Sequence, residues 1–283
     1  MQNKKIAMIT DSACDIPDEL LTRYQIHYVP LRLIYRDGEV RDRVEISPEQ
    51  VYAIMSESLP KTSLPLPEDV TNLYDRLADE GYTDAIHICI SSGLSGTYNM
   101  VNMLAKEYTR MNIRVVDTKS LSMQEGLVVL ACARKLEETG DIDEVVALAQ
   151  TVREKSFGMF VIRTLEYLRK GGRIGLVEGV LGTMLQLKPV IFVNQDGIYE
   201  TLAKARGYAN ALEVLVREVT NRFNKSRIAL AVIHGAAPQE GAKLLERLKG
   251  LLNIEESFLL PCSPVLGVHT GPGLLGVIAY DLA

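Results

Sequence analysis

Apolar and polar positions along the chain follow two alternating rhythms. Short runs such as Ile6-Ala7-Met8-Ile9 and Asp84-Ala85-Ile86-His87-Ile88-Cys89-Ile90 are rich in β-branched residues, which predicts buried strands. Elsewhere apolar residues recur every three or four positions, as at Tyr98, Val101, Leu104, Ala105 and Tyr108, which predicts a helix. Helix starts are punctuated. Asp15, Pro17, Asp18 and Glu19 open one helix, and Ser47-Pro48-Glu49-Gln50 reads as a capping box with Pro at the first helical position. Pro67-Glu68-Asp69 opens another helix, ending near Gly81. The run 26–34 reads as a strand and Arg36-Asp37-Gly38-Glu39 as a turn. A strand over 113–117 and helices over 121–139 and 143–157 follow. Strands alternating with helices predict a parallel, doubly wound sheet.

The texture changes around Phe157-Gly158. Met159-Phe160-Val161-Ile162 predicts a strand, 164–170 a short helix, and 177–187 a helix rich in Gly, Leu and Met. Pro189-Val190-Ile191-Phe192-Val193, the turn Asn194-Gln195-Asp196-Gly197, and Ile198-Tyr199-Glu200-Thr201-Leu202 form a hairpin signature, so this half contains antiparallel strands. Helices over 208–223 and 238–251 and strands over 228–234, 257–260 and 274–280 complete the chain. The expected fold class is α/β, with an N-terminal domain over 1–157 built on a mostly parallel sheet and a C-terminal domain over 158–283 built on a mixed sheet.

Polar residues collect where strands end. Thr10-Asp11-Ser12 follows the first strand, at the carboxyl side where open α/β sheets place ligands. Asp15 reads as a cap, while Asp11 and Ser12 fit either capping or a site. The strand over 84–90 runs into Ser91-Ser92-Gly93-Leu94-Ser95-Gly96-Thr97 and then a helix. Such a loop offers free backbone N–H groups at a helix start, where the dipole favours an anion. The expectation is an anionic head group held here. Capping explains Ser91 and Ser92 equally well, and both readings stand for Ser95. Thr62-Ser63 precede a Pro-punctuated loop and are either bonded to their own backbone or a second hydroxyl pair facing Ser95. Arg173, after Gly171-Gly172, is either solvated or within reach of a site. Gly267, Gly271, Pro272 and Gly273 fix an unusual backbone around His269 and Thr270, which leaves a structural and a functional reading of His269 side by side. His27, His87 and His234 read as structural. No Lys follows Gly96, as a phosphate-binding loop requires, and Thr97 stands where a nucleophile elbow needs Gly.

Composition narrows the class. The 283 residues are 47% apolar and 24% charged, ordinary for a globular protein, and a net charge of −5 argues against nucleic acid. No run is long enough to span a bilayer, and no N-terminal signal is expected before the first strand. Cys14, Cys89, Cys132 and Cys262 show no metal-ligand spacing, and unpaired thiols point to the cytoplasm.

With Thr10-Asp11-Ser12, Thr62-Ser63, Ser91 to Tyr98, Arg169-Lys170-Gly171-Gly172-Arg173 and His269-Thr270-Gly271-Pro272-Gly273 in this order and spacing, the chain resembles the DegV family over nearly its whole length. The resemblance implies two α/β domains enclosing a long-chain fatty acid of the palmitate type, with the carboxylate held by Thr62 and Ser95. His269 and Arg173 are implied to complete the polar network, with Ser63, Ser92, Gly96 and Thr270 as supporting neighbours. Leu64 replaces a residue that is often polar in the family. Members of the FakB type present their acid to a separate ATP-dependent fatty acid kinase, which makes an acyl phosphate for phospholipid synthesis. The resemblance thus implies a non-catalytic binding protein with no metal and no cofactor beyond the lipid. It implies transient membrane contact at most.

The physics is compatible with this picture. A carboxylate accepts hydrogen bonds only, and hydroxyls and backbone N–H groups supply donors. About fifteen buried methylenes at roughly 0.8 kcal/mol each give on the order of 10 kcal/mol, so the tail dominates affinity and requires a closed apolar tunnel. The 177–187 stretch is a candidate wall or an ordinary core helix. Two rivals stand beside this reading: a serine hydrolase using Ser95, His269 and Asp11, and a lipid chaperone without a kinase partner.

Overall fold

The computed structural model describes residues 4–180 and 187–283. Strand β1 (Ile6–Asp11) runs into a 3-10 turn at Ser12–Cys14, which Asp11 caps by accepting from the Ala13 N–H. Helix α1 (Asp18–Arg23) returns to β2 (Ile26–Val29), which lies parallel to β1. The 26–34 run is therefore not one strand. Pro30 offers no N–H to a ladder, and β3 (Arg32–Tyr35) departs into a separate three-stranded sheet. There β3 pairs antiparallel with β4 (Gly38–Arg41) and, after α2 (Pro48–Ile54), with β5 (Lys61–Ser63). The capping box of α2 is present, with Ser47 and Gln50 bonding each other's backbone.

Helix α3 (Pro67–Asp79), β6 (Asp84–Cys89), α4 (Thr97–Glu107) and β7 (Asn112–Asp117) complete a four-stranded, fully parallel sheet in the order β2-β1-β6-β7. The order reverses direction between β1 and β6, so their carboxyl ends frame the crevice that such sheets use for ligands. Helices α5 (Ser122–Thr139) and α6 (Ile142–Lys155) lead out of this sheet.

The mixed sheet takes the rest of the chain. It is built from β8 (Ser156–Val161), β9 (Leu187–Val193), β10 (Tyr199–Arg206), β11 (Arg227–His234), β12 (Asn253–Pro261) and β13 (Leu275–Asp281), in the order β10-β9-β8-β13-β11-β12. Only β11 and β12 pair in parallel, and the β9–β10 hairpin forms as its turn residues predict. Helix α7 (Glu166–Lys170) follows β8, α8 (Tyr208–Phe223) and α9 (Pro238–Lys249) flank β11, and α10 (Pro264–Thr270) precedes β13. Of the helix expected over 177–187, the described part is a 3-10 turn at Gly175–Val180, and Leu187 already belongs to β9. The expectation for 181–186 lies outside the described residues. His269, expected in a glycine loop, stands instead in the last turn of α10, which Pro264 opens at its first position.

Helix α5 lies between the two large sheets. Its Val128, Val129 and Leu130 share one core with Ile86 and Ile88 of β6 and with Ala231, Ile233 and Ile278 of the mixed sheet. The outer face of the mixed sheet packs on α8 and α9, and the outer face of the parallel sheet on α3 and α4.

Candidate functional site

The three-residue strand β5 sets the first hydroxyl. Thr62 pairs with the fully buried Leu33, so strand alternation turns it inward, while Lys61 and Ser63 are exposed. The inward Thr62 Oγ1 lies 2.8 Å from His269 Nε2, across 207 residues of sequence.

The loop after β6 is pinned from several sides. The Ile90 N–H donates to Asp11 Oδ2 at 2.8 Å, and the Ser91 hydroxyl donates to the Gly197 carbonyl at 2.7 Å. A Cβ at Gly93 would sit 2.7 Å from that same Gly197 oxygen, so only glycine lets the β9–β10 turn approach this closely. Ser95 Oγ accepts from the Thr97 N–H at 3.3 Å and lies 2.8 Å from Thr97 Oγ1. Arg173 ties this loop to the end of α7: its Nε donates to the Leu94 carbonyl at 3.3 Å and its Nη1 to the Gly171 carbonyl at 2.8 Å.

These residues meet at one cavity of about 260 Å³, bordered by Thr62, Ser63, Ser95, Arg173 and His269. Leu31, Leu64, Ile90 and Val265 are among its apolar walls. A second, apolar cavity abuts it. The two share Leu121, Tyr199 and Leu266, and the second runs on between α5 and the mixed sheet past Phe160, Ile233, Leu274 and Ile278. Thr270 borders this second cavity and donates its hydroxyl to the Leu266 carbonyl. Ser92 and Gly96 border neither. The Ser92 hydroxyl accepts from Lys119 Nζ at 2.6 Å, and Gly96 caps α4 against the Leu64 side chain.

His269 is 8% exposed. Burial, and then the nearby Arg173 charge, push its imidazole down to about 3, so the ring is neutral at physiological pH. Its Nδ1 has no partner among the described residues, and Gly171 packs directly against that side of the ring. Asp11, weighed above as the acid of a hydrolase, is fully buried and accepts two backbone N–H groups, from Ala13 and Ile90. His269 bonds Thr62 and Ser95 bonds Thr97, so the Ser–His–acid relay is not assembled. Sequence reasoning missed Leu121, Tyr199 and Leu266, which join the two cavities. Each is an ordinary core residue in its local pattern.

Fold and cavities define an α/β protein in which a polar cavity lies beside an apolar one, with Leu121, Tyr199 and Leu266 in the walls of both. The chain belongs to the DegV family: the family model for uncharacterised DegV proteins matches residues 5–282. It is 39% identical to a DegV domain-containing protein of Clostridium acetobutylicum, over 98% of this chain and 99% of the relative. Among solved structures it is similar to a fatty acid-binding DegV family protein from Thermus thermophilus, at 33% identity and a TM-score of 0.91, covering 98% of this chain and 100% of that one. A stearic acid-binding protein from Eubacterium ventriosum superposes with a TM-score of 0.89 at 25% identity, covering 98% of each chain.

Proposed function

We propose that this protein binds a long-chain fatty acid, with the carboxylate between Thr62 and Ser95 and the tail entering the apolar cavity, which at about 50 Å³ widens to take it. The observation that carries the reading is the shared wall: a chamber bordered by hydroxyls has Leu121, Tyr199 and Leu266 in common with one bordered mainly by hydrocarbon. The fatty acid-binding neighbours of the same fold support it.

The neutral His269 gives the head group its donor. With its proton on Nε2, the imidazole donates to Thr62 Oγ1 and frees the Thr62 hydroxyl proton to point at a carboxylate. The opposite tautomer would turn Thr62 lone pairs toward the anion. A carboxylate therefore selects the Nε2–H form, which leaves a lone pair at the unpartnered Nδ1. Ser95 donates from the facing loop, and Arg173 supplies positive charge without a carboxylate partner among the described residues. Ser63 and Thr270 border the two chambers in supporting positions. Ser92 and Gly96 act through the loop's fold.

The protein presents this acid to a separate ATP-dependent fatty acid kinase, feeding acyl phosphate into phospholipid synthesis. It works in the cytoplasm. The family resemblance, four buried free thiols and a helix set in which no described helix is long and apolar enough to cross a membrane support this placement. The test loads wild type, Thr62→Ala and Ser95→Ala with oleate and adds the kinase and ATP. Each variant is expected to retain oleate less well, by roughly tenfold for one lost hydrogen bond to a charged group, and only wild type to yield acyl phosphate efficiently. Wild type that holds oleate but gives no acyl phosphate would point to a lipid chaperone. Unchanged retention in both variants would remove the two hydroxyls from the site.

A further inference from the structure

Helix α10 carries His269 at one end and an unusual set of acceptors at the other. Its N-cap, Ser263, makes no side-chain capping bond. The Ser263 N–H instead donates to Asp15 Oδ1 at 3.0 Å, and the Val265 N–H to Asp42 Oδ1 at 3.0 Å. Pro264 between them has no N–H to satisfy. The acids come from 248 and 223 residues away in sequence. Asp15 follows the 3-10 turn at the end of β1, and Asp42 follows β4.

Both acids are deeply buried, Asp42 at 0% and Asp15 at 6% exposure. Burying a carboxyl group is unfavourable unless its bonds accomplish something. Neither acid borders the polar or the apolar chamber. Asp15 is itself held: its backbone is left-handed, with φ 52°, and its Oδ2 accepts from the Ser122 hydroxyl at the start of α5. Asp42 stands at the junction of the small sheet and α10, close to the β3–β5 pair that carries Thr62.

The geometry links these anchors to the head group. A helix of seven residues spans about 10 Å, so a tilt at its start is felt at its end. Val265 and His269 are four apart on one face, and both border the polar chamber. The bond that the Val265 N–H donates thus lies one turn from the imidazole. His269 has little room to recover from a shift, because Gly171 backs onto its ring and Tyr52 crowds Gly267. A displacement of about 1 Å exceeds what its 2.8 Å contact with Thr62 tolerates.

We propose that Asp15 and Asp42 are positioning residues, which fix the N-terminus of α10 and thereby hold His269 Nε2 against Thr62 Oγ1. The consequence for ligand retention rests on the fatty-acid reading, whereas the placement of His269 does not.

The experiment measures two things on full-length protein: release of a bound fluorescent long-chain fatty acid, and the His269 side-chain nitrogen resonances. Asp42→Ala is expected to move the His269 resonances and speed release by roughly tenfold, the scale of one displaced hydrogen bond. Asp42→Asn keeps an acceptor oxygen and is expected to return release to within about twofold of wild type. In a His269→Ala background, Asp42→Ala is expected to add nothing further, because the two changes act through one contact. Additive effects, or His269 resonances untouched by Asp42→Ala, would overturn the proposal. If Asp42→Ala does not fold, Asp15→Ala decides instead: it removes the acceptor of the Ser263 N–H and is expected to move the His269 resonances, and unmoved resonances overturn the proposal. Wild type that retains no fatty acid refutes the ligand reading instead, and the His269 resonances then judge the anchors by themselves.

Discussion

Thr62 and His269 show how a buried side chain is tuned by its surroundings. The imidazole is neutral because it is desolvated beside Arg173, so its tautomer sets whether Nε2 donates to Thr62 or accepts from it. The buried acids are tuned in the opposite sense. Burial pushes Asp11 and Asp42 up to about 7 and raises Asp15 and Glu125 as well. For an acid whose folded pKa is raised, the folded state holds the proton more tightly than the unfolded chain. Its stabilising contribution is complete below about pH 4 and is lost as pH rises through 7. His269 and His87, both lowered to about 3, do the reverse and weaken the fold as pH falls below 6.5. Replacing Asp42 by Asn removes one titration while keeping the acceptor for Val265. The melting temperature of Asp42→Asn relative to wild type is therefore expected to rise between pH 5 and pH 8. A difference that stays flat across that range would mean that Asp42 does not titrate there.

At the scale of elements, the long periodic segments were legible and the short ones were not. The parallel sheet, α3 to α6 and the β9–β10 hairpin follow from patterns that extend over many residues. Strand β5 has three residues and α10 seven, too few for a period to appear, so Thr62 and His269 were both expected in loops. Pro30 was the local sign that 26–34 is two strands. The grouping of Thr62, Ser95, Arg173 and His269 was expected through the family resemblance rather than from local pattern. Local pattern could not have revealed that Ser92 turns to Lys119, because a serine in a loop has many equivalent partners. The contact between the Ser91 loop and the β9–β10 turn was equally invisible. It makes a demand that substitution tests: Gly93→Val puts a branched side chain against the Gly197 carbonyl. The variant is expected to lose about 1–3 kcal/mol in denaturant unfolding, the usual effect of overpacking. Gly96→Ala meets only the flexible Leu64 side chain at 3.4 Å and is expected to be much milder. Equal effects of the two would remove the Gly93 contact from the account.

Across the whole molecule, the sheets divide the chain but the core does not. We propose that the chain has two units, 1–157 and 158–283, meeting at the start of β8. Helix α5 nevertheless buries its side chains against both sheets, in one continuous cluster from Ile86 to Ile278. Thermal unfolding is therefore expected to be a single transition, with calorimetric and van't Hoff enthalpies in agreement. Two separate transitions would show that the shared core does not couple the units. A fatty acid bound as proposed is expected to raise that transition, since it would bind the folded chain alone.

The most direct measurement is mass spectrometry of the organic extract from the purified protein. Close to one C14–C18 fatty acid per chain is expected, because a tail of about fifteen methylenes contributes on the order of 10 kcal/mol and escapes slowly. An extract without fatty acid, from protein that also fails to take up added oleate, would contradict it and return the Ser95 loop and His269 to the status of an anion site of another kind.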